Sequence, residues 1–278
     1  MVKIENLKVD LDQTFHCGQN FRWKRQPDGS YLGNPAGHSV RAVRQGEELL
    51  LYGAKAEDEP FWRRYFDADS DYAVLLAPVM DAHLQEALIR CPGIRLLDQP
   101  FFETLICFIL SANNNIARIT GIVERFCTIA PRDENGLHLF PTPQQVLSAG
   151  RDFVGSIGAG YRAPYLWEAA QRMDDGFDAD ALRSMDYEEA CKTIRTFKGV
   201  GEKVADCVLL FSCGQKSAFP VDTWVEKLLT QWYGMSGTRS GLKKQARAHF
   251  GSYGGLAQQM LFASAMQQRL RRTEEKNT

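Results

Sequence analysis

The chain has no uninterrupted apolar run of the ~18 residues that a membrane-crossing helix requires. Its best candidate, Phe101 to Ala112, is broken by Glu103, and the start, Met1-Val2-Lys3-Ile4-Glu5, does not read as a signal peptide. A cytoplasmic protein is expected, or a nuclear one in a cell with a nucleus. Cysteine is sparse: seven residues, at 17, 91, 107, 127, 191, 207 and 213, stand singly. That spacing excludes a disulfide framework and, without a CxxC pair, offers no zinc or iron–sulfur site. Internal repeats and low-complexity tracts are absent too. The net charge of -1 does not by itself point to nucleic acid. Acidic residues are missing locally, however, because no Asp or Glu occurs from Gly241 to Arg272. Lys243, Lys244, Arg247, Arg269, Arg271 and Arg272 fall in that stretch and can form one positive face.

What is present is ample for a core. With 278 residues, 44% hydrophobic and 24% charged, the chain is an ordinary globular protein of two domains or one large one. Up to residue 53 the pattern reads as strands: Phe21-Arg22-Trp23-Lys24 alternates, Pro27-Asp28-Gly29 is a turn, and Val40, Ala42 and Leu49 to Tyr52 flank a turn at Gln45-Gly46. From Pro60 the apolar period becomes helical and stays so. Thr142 and Asp186 each stand three positions before Gln or Glu, a helix-start signal. The expected fold is α+β: an antiparallel sheet domain with flanking helices over residues 1–92, then a helical body over 93–278.

The densest chemical signal is Phe197-Lys198-Gly199-Val200-Gly201-Glu202-Lys203. A helix end, a Gly-x-Gly turn and a new helix can bring backbone N–H groups against a phosphate oxygen. The segment, hairpin 197–203, resembles the helix-hairpin-helix element that grips a DNA backbone without reading sequence. Lys203 lies at the margin of an apolar stripe formed by Val204, Cys207, Val208 and Phe211. A lysine there can face a pocket and serve as a nucleophile. Further on, Asp222 in Pro220-Val221-Asp222 precedes an apolar helix and is placed to cap it. The same carboxylate can stabilise a cationic transition state.

Together these pieces resemble the helix-hairpin-helix DNA glycosylase superfamily, in the branch with a lysine nucleophile, and more narrowly the 8-oxoguanine DNA glycosylases. The likeness also rests on Gly18-Gln19-Asn20-Phe21-Arg22-Trp23, Ser111 to Gly121, Gly160-Tyr161-Arg162, Lys203 to Cys207 and Gln258-Gln259-Met260-Leu261-Phe262. It implies a TBP-like sheet domain ahead of a helix-hairpin-helix glycosylase body, and a monomer that binds double-stranded DNA containing 8-oxoguanine. It implies excision preferentially opposite cytosine, by base flipping, attack of Lys203 on C1′, a Schiff base and β-elimination.

The resemblance also assigns residues. The Gly18 carbonyl would accept the N7–H that distinguishes the oxidised base from guanine, Gln258 would bind its Watson–Crick edge, and Cys207 and Phe262 would pack on its faces. Asn113 would fill the vacated stack, with Arg118 and Arg162 reading the orphaned cytosine and Tyr161 wedged beside it. Lys198, Gly199, Val200, Gly201 and Trp224 would face the DNA backbone. No cofactor is implied and no metal is required; a structural cation would correspond to the carbonyls of Arg195, Phe197 and Val200. Three positions depart from the family pattern: Trp224 replaces a histidine, Lys198 a proline and Leu256 a tryptophan. Two other readings stand beside this one. A lysine glycosylase for oxidised pyrimidines would explain Lys203 and Asp222 but not Gly18 or Gln258, and no Cys follows Cys213 to build the four-cysteine cluster typical of that relative. A non-catalytic damaged-DNA-binding module would have no need of Lys203 and Asp222.

Overall fold

The computed structural model describes residues 1–277, with side chains described to residue 268. Arg269, Arg271 and Arg272 of the basic stretch therefore lie outside the described side chains. Five short strands, β1 (Val2–Ile4), β2 (Lys24–Arg25), β3 (Tyr31–Gly33), β4 (Val40–Gln45) and β5 (Glu48–Tyr52), form one antiparallel sheet in the order β1-β5-β4-β3-β2. The turn expected at Gln45-Gly46 closes the β4–β5 hairpin, where Gln45 pairs with Glu48.

The region read as all strand differs in two places. A five-residue helix, α1 (Leu11–Phe15), interrupts it, started by Asp10, whose carboxylate accepts from the Gln13 amide at 2.9 Å. Phe21, Arg22 and Trp23 are not strand, because the Asn20 side-chain oxygen accepts from the amides of Arg22 (2.9 Å) and Trp23 (3.1 Å) and bends the chain there. Their apolar alternation reflects two separate burials rather than a pleat. Phe21 enters the core of the helical body, while Trp23 stacks on Phe15 in the sheet's own core, centroids 4.4 Å apart.

That sheet core is covered by α2 (Glu59–Tyr65), whose Trp62 and Tyr65 are buried with Phe66 behind the sheet. The body then runs through α3 (Tyr72–Leu76), α4 (Ala82–Arg90), α5 (Phe101–Ser111), α6 (Ile116–Cys127), α7 (Pro143–Ser156) and α8 (Ala163–Asp174). It continues through α9 (Tyr187–Ile194), α10 (Glu202–Ser212), α11 (Thr223–Tyr233), α12 (Arg239–Phe250) and α13 (Gly254–Asn277). Both sequence-read helix starts are real: Thr142 and Gln145 form a reciprocal cap on α7, and Asp186 caps α9 through the Glu189 amide at 3.0 Å. α5 is buried along almost its whole length and packs against α10, so the body is built around this pair. Cys17 and Phe21, from the loop between α1 and β2, belong to the same core. A buried Arg22–Glu103 ion pair of 3.0 Å, braced by Asn34 at 2.7 Å, ties that loop to α5. All seven cysteines are buried, and none of them forms a disulfide.

Candidate active site

The hairpin between α9 and α10 turns at Gly199, which has φ +81; a Cβ there would lie 2.4 Å from the Tyr165 ring. Only glycine fits. Gly201 caps α10 without a side chain, which leaves the first amides of the helix for an outside acceptor. The exposed Lys198 ammonium pairs with Glu168 of α8 at 2.7 Å. The Phe197 carbonyl accepts from the Val200 amide at 3.2 Å and keeps a second lone pair. Among the described residues no cluster of three or more His, Cys, Asp or Glu could hold a metal.

Lys203 follows in the first turn of α10 and is half-buried. Its Nζ donates to Ser111 Oγ at 3.1 Å and lies 5.1 Å from the Phe108 ring centroid. Ser111 Oγ donates in turn to the Phe108 carbonyl at 2.8 Å, so its lone pairs face the amine. Asp222 caps α11: Oδ1 alone accepts from the amides of Trp224 (2.9 Å) and Val225 (2.8 Å), leaving Oδ2 outside the cap. Both side chains line one small cavity of about 50 Å³, together with Cys17, Gly18, Cys207, Gln258 and Phe262. They also line a wider cleft of about 820 Å³ bordered by Asn113, Gly199, Gly201, Trp224, Arg239 and Lys243.

The cavity brings together the residues expected to hold a base, from both ends of the chain. Gly18 has φ +79, a region strained for any side chain, and a Cβ would meet Phe262 Cε1 at 3.5 Å. Burial pushes the Cys207 thiol up to about 11, with an opposing pull from Lys203, so it is a neutral wall. Gln258 is 6% exposed, and its Oε1 is buried without a hydrogen-bond partner among the described residues. Such an oxygen is costly unless a ligand uses it.

The residues expected at the opposite base divide. Asn113 is exposed at the turn between α5 and α6, in the left-handed region at φ +49. Tyr161 is 59% exposed, and Arg118 is exposed on the first turn of α6. Arg162 is instead buried at 4%, and its guanidinium holds the carbonyls of Ala112, Asn113 (3.1 Å) and Ala159 (3.3 Å). It thereby braces the turn that carries Asn113. Tyr161 covers it, with the ring centroid 4.3 Å from the guanidinium carbon.

Sequence reasoning gave no role to Ser111, Gln259 or the Asp206–Lys243 pair. Asp206 is fully buried, accepts from the Tyr187 hydroxyl at 2.6 Å and pairs with Lys243 at 2.8 Å. Burial raises its carboxyl to about 6 against the pull of Lys243. A carboxylate inside an apolar helix, read with an acid-free basic stretch elsewhere, is the signal that could have found this pair.

Residues 1–105 match the 8-oxoguanine DNA glycosylase N-terminal domain, and residues 106–252 match the HhH-GPD superfamily of base excision DNA repair proteins. The chain is 31% identical to the N-glycosylase/DNA lyase OGG1 of Arabidopsis thaliana, over 95% of this chain and 80% of the plant protein. It is 30% identical to a probable N-glycosylase/DNA lyase of Methanothermobacter thermautotrophicus, over 92% of this chain and 93% of that one. Among solved structures, the Clostridium acetobutylicum 8-oxoguanine glycosylase/lyase, in complex with double-stranded DNA containing cytosine opposite 8-oxoG, superimposes with a TM-score of 0.89. It shares 33% identity, with 95% of this chain and 93% of that chain covered. The helix-hairpin-helix turn, the half-buried lysine and the glycine-walled cavity are thus accounted for together: the chain belongs to the 8-oxoguanine DNA glycosylase family within the HhH-GPD superfamily.

Proposed function

We propose that this protein is a bifunctional DNA glycosylase and abasic-site lyase that excises 8-oxoguanine, preferentially opposite cytosine, in base excision repair. The observation that carries the reading is the cavity where the Lys203 amine and the Asp222 carboxylate meet Gly18, Gln258 and Phe262. An oxidised-pyrimidine enzyme would have no use for that glycine and glutamine, and a binding module none for the amine and carboxylate.

The duplex backbone lies across the Gly199–Gly201 amides and the start of α10, and the damaged nucleotide turns out of the stack into the cavity. Asn113 enters the gap. N7–H of the lesion donates to the Gly18 carbonyl; guanine presents a lone pair there and is repelled. Gln258 Oε1 accepts from the Watson–Crick edge, and Cys207 and Phe262 enclose the ring faces. The neutral Lys203 amine then bonds to C1′ as the C1′–N9 bond breaks and its electrons leave with the base, which takes up a proton. Asp222 stabilises the positive charge that develops on the sugar. Loss of the amine proton and opening of the ring to O4′ give a Schiff base. Removal of a C2′ proton then expels the 3′ oxygen and cuts the strand.

A monomer suffices for this chemistry, because Lys203, Asp222, Gly18, Gln258 and Phe262 come from one chain. Among the described residues no helix is long and apolar enough to cross a membrane, and the substrate places the enzyme on a bacterial nucleoid or in a nucleus. Borohydride trapping on a duplex with one 8-oxoguanine, opposite each base in turn, tests the reading. The expected result is a covalent adduct, strongest opposite cytosine and absent in Lys203→Gln. An adduct that survives Lys203→Gln moves the nucleophile elsewhere and refutes the mechanism.

A further inference from the structure

The Gly18 carbonyl must hold its direction to within a fraction of an ångström if it is to tell N7–H from a lone pair, yet Gly18 is the least constrained residue type. Among the described residues that oxygen accepts no hydrogen bond, while the groups on either side of it are heavily bound. On the near side, Gln259 Nε2 donates to the Cys17 carbonyl at 3.1 Å and to Cys17 Sγ at 3.0 Å. On the far side, the Gln19 side chain donates to the carbonyls of Thr14 (2.9 Å) and Arg95 (2.8 Å) and accepts from the Leu97 amide at 3.0 Å. The Gln19 carbonyl is taken by Gln99 Nε2 at 2.7 Å. Every amide and thiol in this set is buried. Burial pushes the Cys17 thiol up to about 12, against pulls from Gln259 and Gln19, so it serves Gln259 as a neutral acceptor.

We propose that Gln259 is a positioning residue for lesion discrimination, holding the Cys17–Gly18 peptide so that the Gly18 carbonyl points into the cavity. The inference rests on the proposed excision of 8-oxoguanine. Gln258 and Gln259 both border the cavity, and Gln259 reaches from there to the Cys17 main chain, so two consecutive residues of α13 set both the Watson–Crick reader and the N7–H reader. Base entry that pushes on α13 is therefore felt at Gly18. The N-terminal loop and the C-terminal helix act as one jaw.

The abasic-site lyase step uses Lys203 and Asp222 but has no base to recognise, so it supplies an internal reference. The measurement is the ratio of 8-oxoguanine excision to cleavage of a preformed abasic site in the same duplex, under single turnover. Gln259→Met keeps the length and burial and removes the donor. The ratio falls at least about tenfold, as misplacement of a contact by about 1 Å can cost 10²-fold. A ratio unchanged in Gln259→Met overturns the proposal, and so does a parallel fall of both activities, which a merely structural role produces. Should Gln259→Met fail to fold, Gln259→Asn, whose amide is one methylene short of Cys17, is read the same way. Wild-type protein inactive on 8-oxoguanine would overturn the proposed function and this inference with it; an active wild type with an insensitive ratio overturns this inference alone.

Discussion

Gln258 offers the sharpest test of the pocket, because activity and stability should move in opposite directions. Its Oε1 is buried and has no hydrogen-bond partner among the described residues, and leaving such an acceptor unsatisfied costs roughly 1–3 kcal/mol. Gln258→Met removes the acceptor while filling nearly the same space with an unbranched chain. The free enzyme should therefore gain about 1–2 kcal/mol. At roughly 2–4 °C per kcal/mol for chains of 150–250 residues, Tm rises by a few degrees. Excision of 8-oxoguanine falls, because the extruded base loses its partner; about 1–3 kcal/mol of lost recognition corresponds to roughly 5- to 150-fold in kcat/KM. Thermal unfolding without DNA and single-turnover excision on the same preparations measure the two effects. A Tm at or below wild type refutes the reasoning, since it means the oxygen is satisfied in the resting enzyme. Retained excision refutes it from the other side.

Two further outcomes follow from groups around the amine. Asp222→Asn keeps the α11 cap, because asparagine caps as well as aspartate, so Tm and DNA affinity stay near wild type while turnover drops by about 10²-fold or more with the loss of charge; a turnover within a few-fold of wild type removes Asp222 from the mechanism. For Asp206, burial raises the folded carboxyl to about 6, above its ordinary range near 3.8. Between these values the folded chain holds a proton that the unfolded chain has released, so the stability contribution is full below about pH 4 and is lost as pH rises through about 6. Wild type therefore loses ground against Asp206→Asn across that window, by at most about 1.4 kcal/mol per pH unit, and the difference is flat above it. Paired melts at stepped pH check this, and a difference that grows in favour of wild type over the same window contradicts the raised carboxyl.

The legible parts of the molecule were those with local causes. Lys203 and Asp222 each begin a helix beside a Gly-x-Gly or Pro-Val-Asp signal, so their setting could be read within a dozen residues. The Thr142 cap and the Gln45-Gly46 hairpin are local in the same way. Gly18, Gln258 and Phe262 come from opposite ends of the chain, and residue pattern alone could not join them; the resemblance did. The bend at Asn20 was missed because one side-chain oxygen takes two amides that an alternating pattern assigns to a strand. The resemblance assigned Arg162 to the orphaned cytosine; its burial against the carbonyls of Ala112 and Asn113 is a further contact that no one-dimensional pattern displays.

The passage of residues 17 to 21 out of the sheet module and into the helical core has a consequence for modular engineering. The amine and carboxylate belong to the helical half, whereas the atom proposed to sense oxidation is supplied by the sheet half. Grafting a foreign sheet onto α5–α13 would remove that atom together with the core residues Cys17 and Phe21 and the Arg22 partner of Glu103, so specificity and the integrity of the helical half have to be exchanged together.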